Sequence, residues 1–227
     1  MSNGYQYTVV FQNNSANAGT VVLYQVPPDI PDSMPLAWLT QYAYPTTRVT
    51  LTWTLEYDFV WSETGILVPG VVASAAQVWP ANVTTTNQVG LTYDRAFTFE
   101  NQQAGPQAGS LYILADATIP VNTASVGIGM SGAPTMLVQA QPNMTYVFTP
   151  HPQYWISFGN YTTSEAIAIS SMTAAAQIVF PPNVYSMTAT LNADNTWTIQ
   201  QTSMANAALA TARSTNAKAN WTDVSGS

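Results

Sequence analysis

Glu56 and Asp58 are the side chains that the sequence places best for chemistry. Two positions apart on an extended segment, they share one face about 7 Å from each other. Paired carboxylates at that scale serve glycoside hydrolysis or bind calcium. The plainer reading, a solubilising pair on a sheet face, is favoured here. Asp29 and Asp32 read as loop acids in a Pro-rich turn. His151 is the only histidine and sits in the stiff Thr149-Pro-His-Pro152 turn. No G-x-S-x-G elbow accompanies it, so a structural or exposed histidine is favoured over a triad member. One His and no Cys leave too few ligands for zinc. Gly127-Ile-Gly-Met-Ser-Gly132 spells G-x-G-x-x-G, but a β-like run follows it, and no acid lies between Asp116 and Glu165. A dinucleotide site needs a helix and that acid, so the glycines read as strand and turn. No catalytic residue, metal or cofactor is assigned.

The aromatic residues are the more suggestive set, with 7 Trp, 12 Tyr and 7 Phe. Exposed Trp and Tyr faces stack on sugar rings, while amides and hydroxyls bond the sugar hydroxyls. Trp79, Tyr154, Trp155, Tyr161 and Trp221 are the candidates for such a lectin-like surface. The competing role, filling a large β core, carries more weight for any one of them. Trp53 and Trp61 belong to that core by their alternation.

These side chains need strands to hold them. From Val49 to Trp61 every odd position is apolar, and Thr or an acid fills the even ones until Val60. That alternation predicts one long half-buried strand. Tyr5–Phe11 and Thr20–Val26 flank the Asn/Gly-rich stretch 13–19, which predicts a hairpin. Gly90–Phe99, Ser110–Ala115, Ala124–Met130, Thr135–Gln139, Tyr146–Thr149, Gln153–Phe158, Ala166–Ser170 and Gln177–Phe180 read as further short β runs. Tyr185–Leu191 and Thr196–Gln201 bracket Asn192-Ala-Asp-Asn195, a second hairpin signal. Turn signals recurring about every 10 residues predict an all-β chain, an antiparallel β-sandwich. The Ala-rich Ser203–Lys218 predicts a short C-terminal helix, capped by Ser203, with Arg213 and Lys218 near its end. No linker or repeat divides the chain. The reading is a sandwich over residues 1–202, with the helix and tail 203–227 belonging to the same domain.

Only 7% of the 227 residues are charged, against about 25% in an average protein. Four cations against 11 acids leave a net −7, so no basic stripe exists to neutralise phosphates and nucleic acid is excluded. No apolar run reaches the roughly 18 residues of a membrane span. No signal peptide precedes the first strand, so the expectation is a cytoplasmic protein, or one exported without a cleaved signal. The absence of cysteine excludes a disulfide framework. Outward positions carry Thr, Ser, Asn, Gln and Ala, and Lys is missing from strand edges, where it normally blocks pairing. A surface of that kind favours a homo-oligomer.

Four stretches carry a resemblance as a set: PLAWLTQYAYPTTRVTLTWTLEYDFVWSETG (35–65), SVGIGMSGAP (125–134), FTPHPQYWISFG (148–159) and FPPNVYSMTATLNADNTWTI (180–199). They resemble bacterial proteins similar to the rhizosphere-expressed protein RhiA. The resemblance implies a bacterial origin, a non-enzymatic role, and expression linked to quorum sensing and to life near plant roots. It carries over no site residue. The expected function is a self-associating structural protein, and the alternative is a carbohydrate-binding sandwich with a glycan ligand.

Overall fold

Short apolar runs broken by Pro, Gly and Asn give strands from one end of the computed structural model to the other. The structure describes residues 5–26, 32–172 and 174–203. Chain order begins with β1 (Gln6–Asn13), β2 (Gly19–Gln25), β3 (Met34–Pro35), β4 (Leu39–Ala43), β5 (Arg48–Thr54) and β6 (Tyr57–Ser62). It continues with β7 (Gln77–Ala81), β8 (Gln88–Asp94), β9 (Ala96–Gln103), β10 (Leu111–Ala115), β11 (Ser125–Met130) and β12 (Ala133–Gln139). The last five are β13 (Met144–Phe148), β14 (Tyr154–Gly159), β15 (Ala175–Ile178), β16 (Ser186–Leu191) and β17 (Trp197–Gln201). The all-β, mostly antiparallel class expected from the sequence is what the chain adopts; β1 with β16 and β8 with β10 are its parallel pairs.

Two pairs of sheets enclose two cores. The sheets β17-β16-β1-β5 and β15-β14-β2-β4 meet over Val9, Phe11, Val21, Leu23, Leu51, Trp53, Tyr154, Ile156 and Leu191. The sheets β3-β12-β11-β6-β7 and β13-β10-β8-β9 meet over Phe59, Trp61, Val126, Ile128, Phe99, Leu111, Ile113 and Phe148. Alternate residues point inward on each strand, so period-2 sequence becomes one apolar face. Apart from β3, the first sandwich is made of both ends of the described chain and the second of its middle.

The stretch predicted as one strand from Val49 to Trp61 is therefore two. It pairs as β5 in the first sandwich, breaks at Leu55-Glu56, and re-enters as β6 in the second. Local alternation carries no signal for such a crossing, because the odd positions stay inward on both sides of it. The predicted hairpin around 13–19 is also corrected. β1 pairs with β5 and β16, while β2 pairs with β14 and β4, so that turn carries the chain between facing sheets. Gly90–Phe99 folds back on itself as β8 and β9, turning at Arg95 with φ +66°. The predicted β16–β17 hairpin forms as expected. The predicted helix Ser203–Lys218 lies outside the described residues beyond its first position.

The sheet containing β6, β11 and β12 is covered on both faces. Val60, Leu137, Leu36, Ala73 and Ala166 form a small core behind it, held by the bridges Leu36–Ala166 and Val72–Glu165. This explains why β11 is buried throughout. It also explains the glycines of 127–132. A Cβ at Gly127 would stand 2.0 Å from the Met136 carbonyl oxygen, a distance no side chain tolerates. Ser131 (φ +56°) and Gly132 (φ +78°) form the tight β11–β12 turn, a backbone that favours glycine. The strand-and-turn reading of that motif holds.

Met130, at the end of β11, is fully buried in the core of the other sandwich. Trp38 Nε1 donates to its carbonyl oxygen at 3.0 Å. Gln25 Nε2 and the Tyr154 hydroxyl donate to its sulfur at 3.6 and 3.8 Å. The turn after it is fastened too. The Ser131 hydroxyl accepts from Thr54 N–H at 2.8 Å, Ser131 N–H donates to the Glu56 carbonyl at 2.9 Å, and Gly132 N–H donates to Asp58 Oδ2 at 2.7 Å. Met130→Ala is expected to cost about 2–5 kcal/mol, measured as a shift in the urea midpoint. A loss below about 1 kcal/mol would show that the tip is not a structural plug.

Candidate functional site

The candidate aromatic residues separate once the strands are in place. Tyr154 and Trp155 are adjacent on β14 and so point to opposite faces. Tyr154 is 6% exposed and packs in the core, 4.8 Å from the Trp53 ring and 6.3 Å from that of Trp38. The core, its competing role, takes most of its ring, so it does not belong to an exposed lectin-like surface. Trp79 on β7 lies against the second core, 5.9 Å from the Phe99 ring, and is half-buried. Trp155 and Tyr161 do come together. Both pack with Val22, Tyr24, Ala37, Ile167, Met172 and Ala175 on the outer face of the β14-β2 sheet. Trp221 lies outside the described residues.

Tyr161 lines a cavity of about 260 Å³ with Ser157, Phe158, Glu165, Ile167 and Met172. Its hydroxyl lies 3.2 Å from Ser157 Oγ, which also donates to the Ala174 carbonyl at 3.2 Å. Glu165 Oε2 accepts the Thr162 N–H at 2.8 Å, which fixes the loop over the cavity. The Trp155 indole N–H is buried without a hydrogen-bond partner.

The expected polar pair is split by burial. Glu56 is exposed, whereas Asp58 is 7% exposed and bonded to Gly132. Burial raises the Asp58 carboxyl above its ordinary value, the Gly132 N–H lowers it in part, and Glu56 raises it further. The solubilising-pair reading therefore fails for Asp58. Both residues line a groove of about 650 Å³ on the second sandwich, where the crossing segment enters β6. It adjoins a second groove of about 340 Å³, walled by Tyr7, Tyr154 and Phe180, and Leu55 lines both. His151 is exposed, its Nδ1 3.1 Å from the Thr149 carbonyl of its own loop.

The outer face of the β10–β13 ladder was not read from the sequence. Val147 faces Tyr112 across it, and Leu114 faces Thr145. Leu114 is 37% exposed, Val147 42% and the neighbouring Met144 47%. Neither strand holds a charged residue, and β13 is the sheet's edge. The signal was the unbroken apolar run Leu111-Tyr-Ile-Leu114, one large residue more than a half-buried strand requires.

Fold and surface together define a charge-poor, strand-built protein of two joined sandwiches. Among the described residues no helix is long and apolar enough to cross a membrane. The family model for RhiA matches residues 4–202. Protein RhiA of Rhizobium leguminosarum bv. viciae is 36% identical over 203 residues, which cover 88% of each chain. The chain belongs to the RhiA family. No solved structure matches it.

Burial pushes Tyr24 and Tyr57 up to about 12, helped by Tyr161 and Tyr7 respectively, and pushes Tyr154 up as well. The Trp53 indole, which makes no well-formed hydrogen bond, offsets part of the effect on Tyr154. Above the ordinary value of 10.0 the unfolded chain has lost these protons while the folded chain keeps them. Stability therefore falls as pH rises from 10 to 12, by about 1.4 kcal/mol per unit for each such tyrosine. Urea unfolding across that range should show the fall, and Tyr24→Phe should reduce its slope.

Proposed function

We propose that this protein is a non-enzymatic structural protein that self-associates, with the β13 edge as its pairing surface. The observation that carries the reading is the unguarded edge itself. An edge strand presents unpaired backbone N–H and C=O groups, which proteins ordinarily protect with Lys, Pro or charge. β7 carries Pro80, β3 carries Pro35, and β9 carries Glu100. The edges β4, β15, β17 and β13 carry none of these, and of them β13, Met-Thr-Tyr-Val-Phe, exposes both Met144 and Val147. Antiparallel pairing of two β13 strands about a two-fold axis would extend the sheet across both copies. Leu114, Tyr112 and Val147 would then form one continuous apolar face. Low charge supports the same reading, because little repulsion opposes close approach.

Light scattering on a size-exclusion column, over a concentration series, tests it. A dimer or larger species is expected, and Val147→Lys, at an exposed position, should shift it to the 24.4 kDa monomer without changing the circular dichroism spectrum. A wild-type chain that stays monomeric at the highest concentration overturns the reading.

A second reading, carbohydrate binding, is favoured by the 260 Å³ cavity, which Tyr161 and Ser157 line with hydroxyls. A glycan array with tryptophan fluorescence checks it. Binding should be lost in Tyr161→Ala, and no binding across a broad panel removes the reading.

A further inference from the structure

We propose that the groove where the crossing segment enters β6 is a binding site for an organic ammonium ion, such as a polyamine or an amino sugar. Leu55, Glu56, Tyr57, Asp58, Pro80 and Val83 form most of its wall, with Ala81, Asn82, Ser131 and Gly132 completing it. Its volume of about 650 Å³ falls within the roughly 300–1,000 Å³ of small-molecule sites.

Charge selects the class of ligand. A carboxylate is seldom buried unless a cation pairs with it. Asp58 is 7% exposed, and among the described residues only the Gly132 N–H is bonded to it, at Oδ2. Among the described residues no donor reaches Oδ1, and Asp58 lines the groove. Glu56 stands near enough to disfavour ionisation of Asp58. Among the described residues lining the groove, none is Lys, Arg or His. The two carboxylates disfavour an anion, and an ammonium group supplies a countercharge to the buried Asp58 together with N–H donors.

The apolar wall selects an organic cation over a metal ion. Leu55, Pro80 and Val83 offer carbon surface, and the Tyr57 ring adds a face that attracts a cation. A hard metal ion needs six or more oxygen ligands and gains nothing from such a wall.

The site is held ready. Asp58 is fixed by the turn that follows Met130, and the same turn accepts Thr54 N–H and donates to the Glu56 carbonyl. The titratable groups facing the ligand are Glu56 from the crossing segment and Tyr57 and Asp58 from β6; β7 and the 131–132 turn contribute none. An ammonium ion favours ionised Asp58, so affinity should rise as pH rises through the carboxyl's elevated midpoint.

Calorimetric titration of the full chain with putrescine at low salt and neutral pH tests the proposal. Saturable binding is expected. Asp58→Asn keeps the shape and the acceptor for Gly132, and should weaken binding about tenfold or more. Glu56→Gln, at an exposed position that leaves folding intact, should weaken it severalfold. Glu100→Gln on β9 should have no effect. Three results overturn the proposal: no saturable heat from putrescine, binding that both groove variants leave unchanged, or displacement of putrescine by glucose or calcium.

Discussion

The seat of Met130 is the contact on which the two sandwiches depend. A strand of the second sandwich ends in a side chain that belongs to the core of the first. A flexible thioether suits that place, because it fills an irregular gap among Trp38, Trp53 and Tyr154 and its soft sulfur accepts weak hydrogen bonds. The tight turn behind it holds the chain where it crosses from β5 to β6. Packing and hydrogen bonding thus act on the same few residues, which fixes the two sandwiches against each other.

That junction has consequences on both sides. It removes Asp58 from water, and the position that alternation marks as outward becomes a buried carboxylate. It gathers Tyr7, Tyr57, Trp53, Tyr154 and Phe180 into one aromatic block, with Tyr7 and Phe180 nearly perpendicular at 5.0 Å. Most of the aromatic excess is spent there and in the two cores. Of the pair Trp155 and Tyr161, Tyr161 alone lines the 260 Å³ cavity, so a sugar-binding reading rests on far fewer residues than the composition suggests.

The surface follows a different logic. With so few charges, the chain separates itself from its neighbours by proline and by strand length more than by lysine. The β13 edge lacks these devices, as do β4, β15 and β17, and it adds the exposed apolar Met144 and Val147. Membership in the RhiA family places this arrangement among related chains but brings no reaction with it. The cavity, the groove and the open edge are distinct surfaces, and association at one leaves the others open to solvent.

Much was legible in the residues themselves. Period-2 alternation, turn chemistry and the scarcity of helix formers determine an all-β chain, and they place Trp53 and Trp61 in its cores. The glycines of 127–132 read correctly as strand and turn, because the residues after them lack a helix and an acid. These are local properties, set by neighbours a few positions away. Partner strands were not legible. β1 faces β2 across a core instead of pairing with it, and one apparent strand serves two sandwiches. Asp58 was misplaced for the same reason, and Tyr154, weighed between core and ligand, fell to the core. A residue's face follows from its own strand, but what covers that face comes from segments far away in the chain, such as Met130 over Tyr154 and Gly132 over Asp58. Only long-range packing decides which faces meet, so only the tertiary structure could place the groove, the cavity and the open edge.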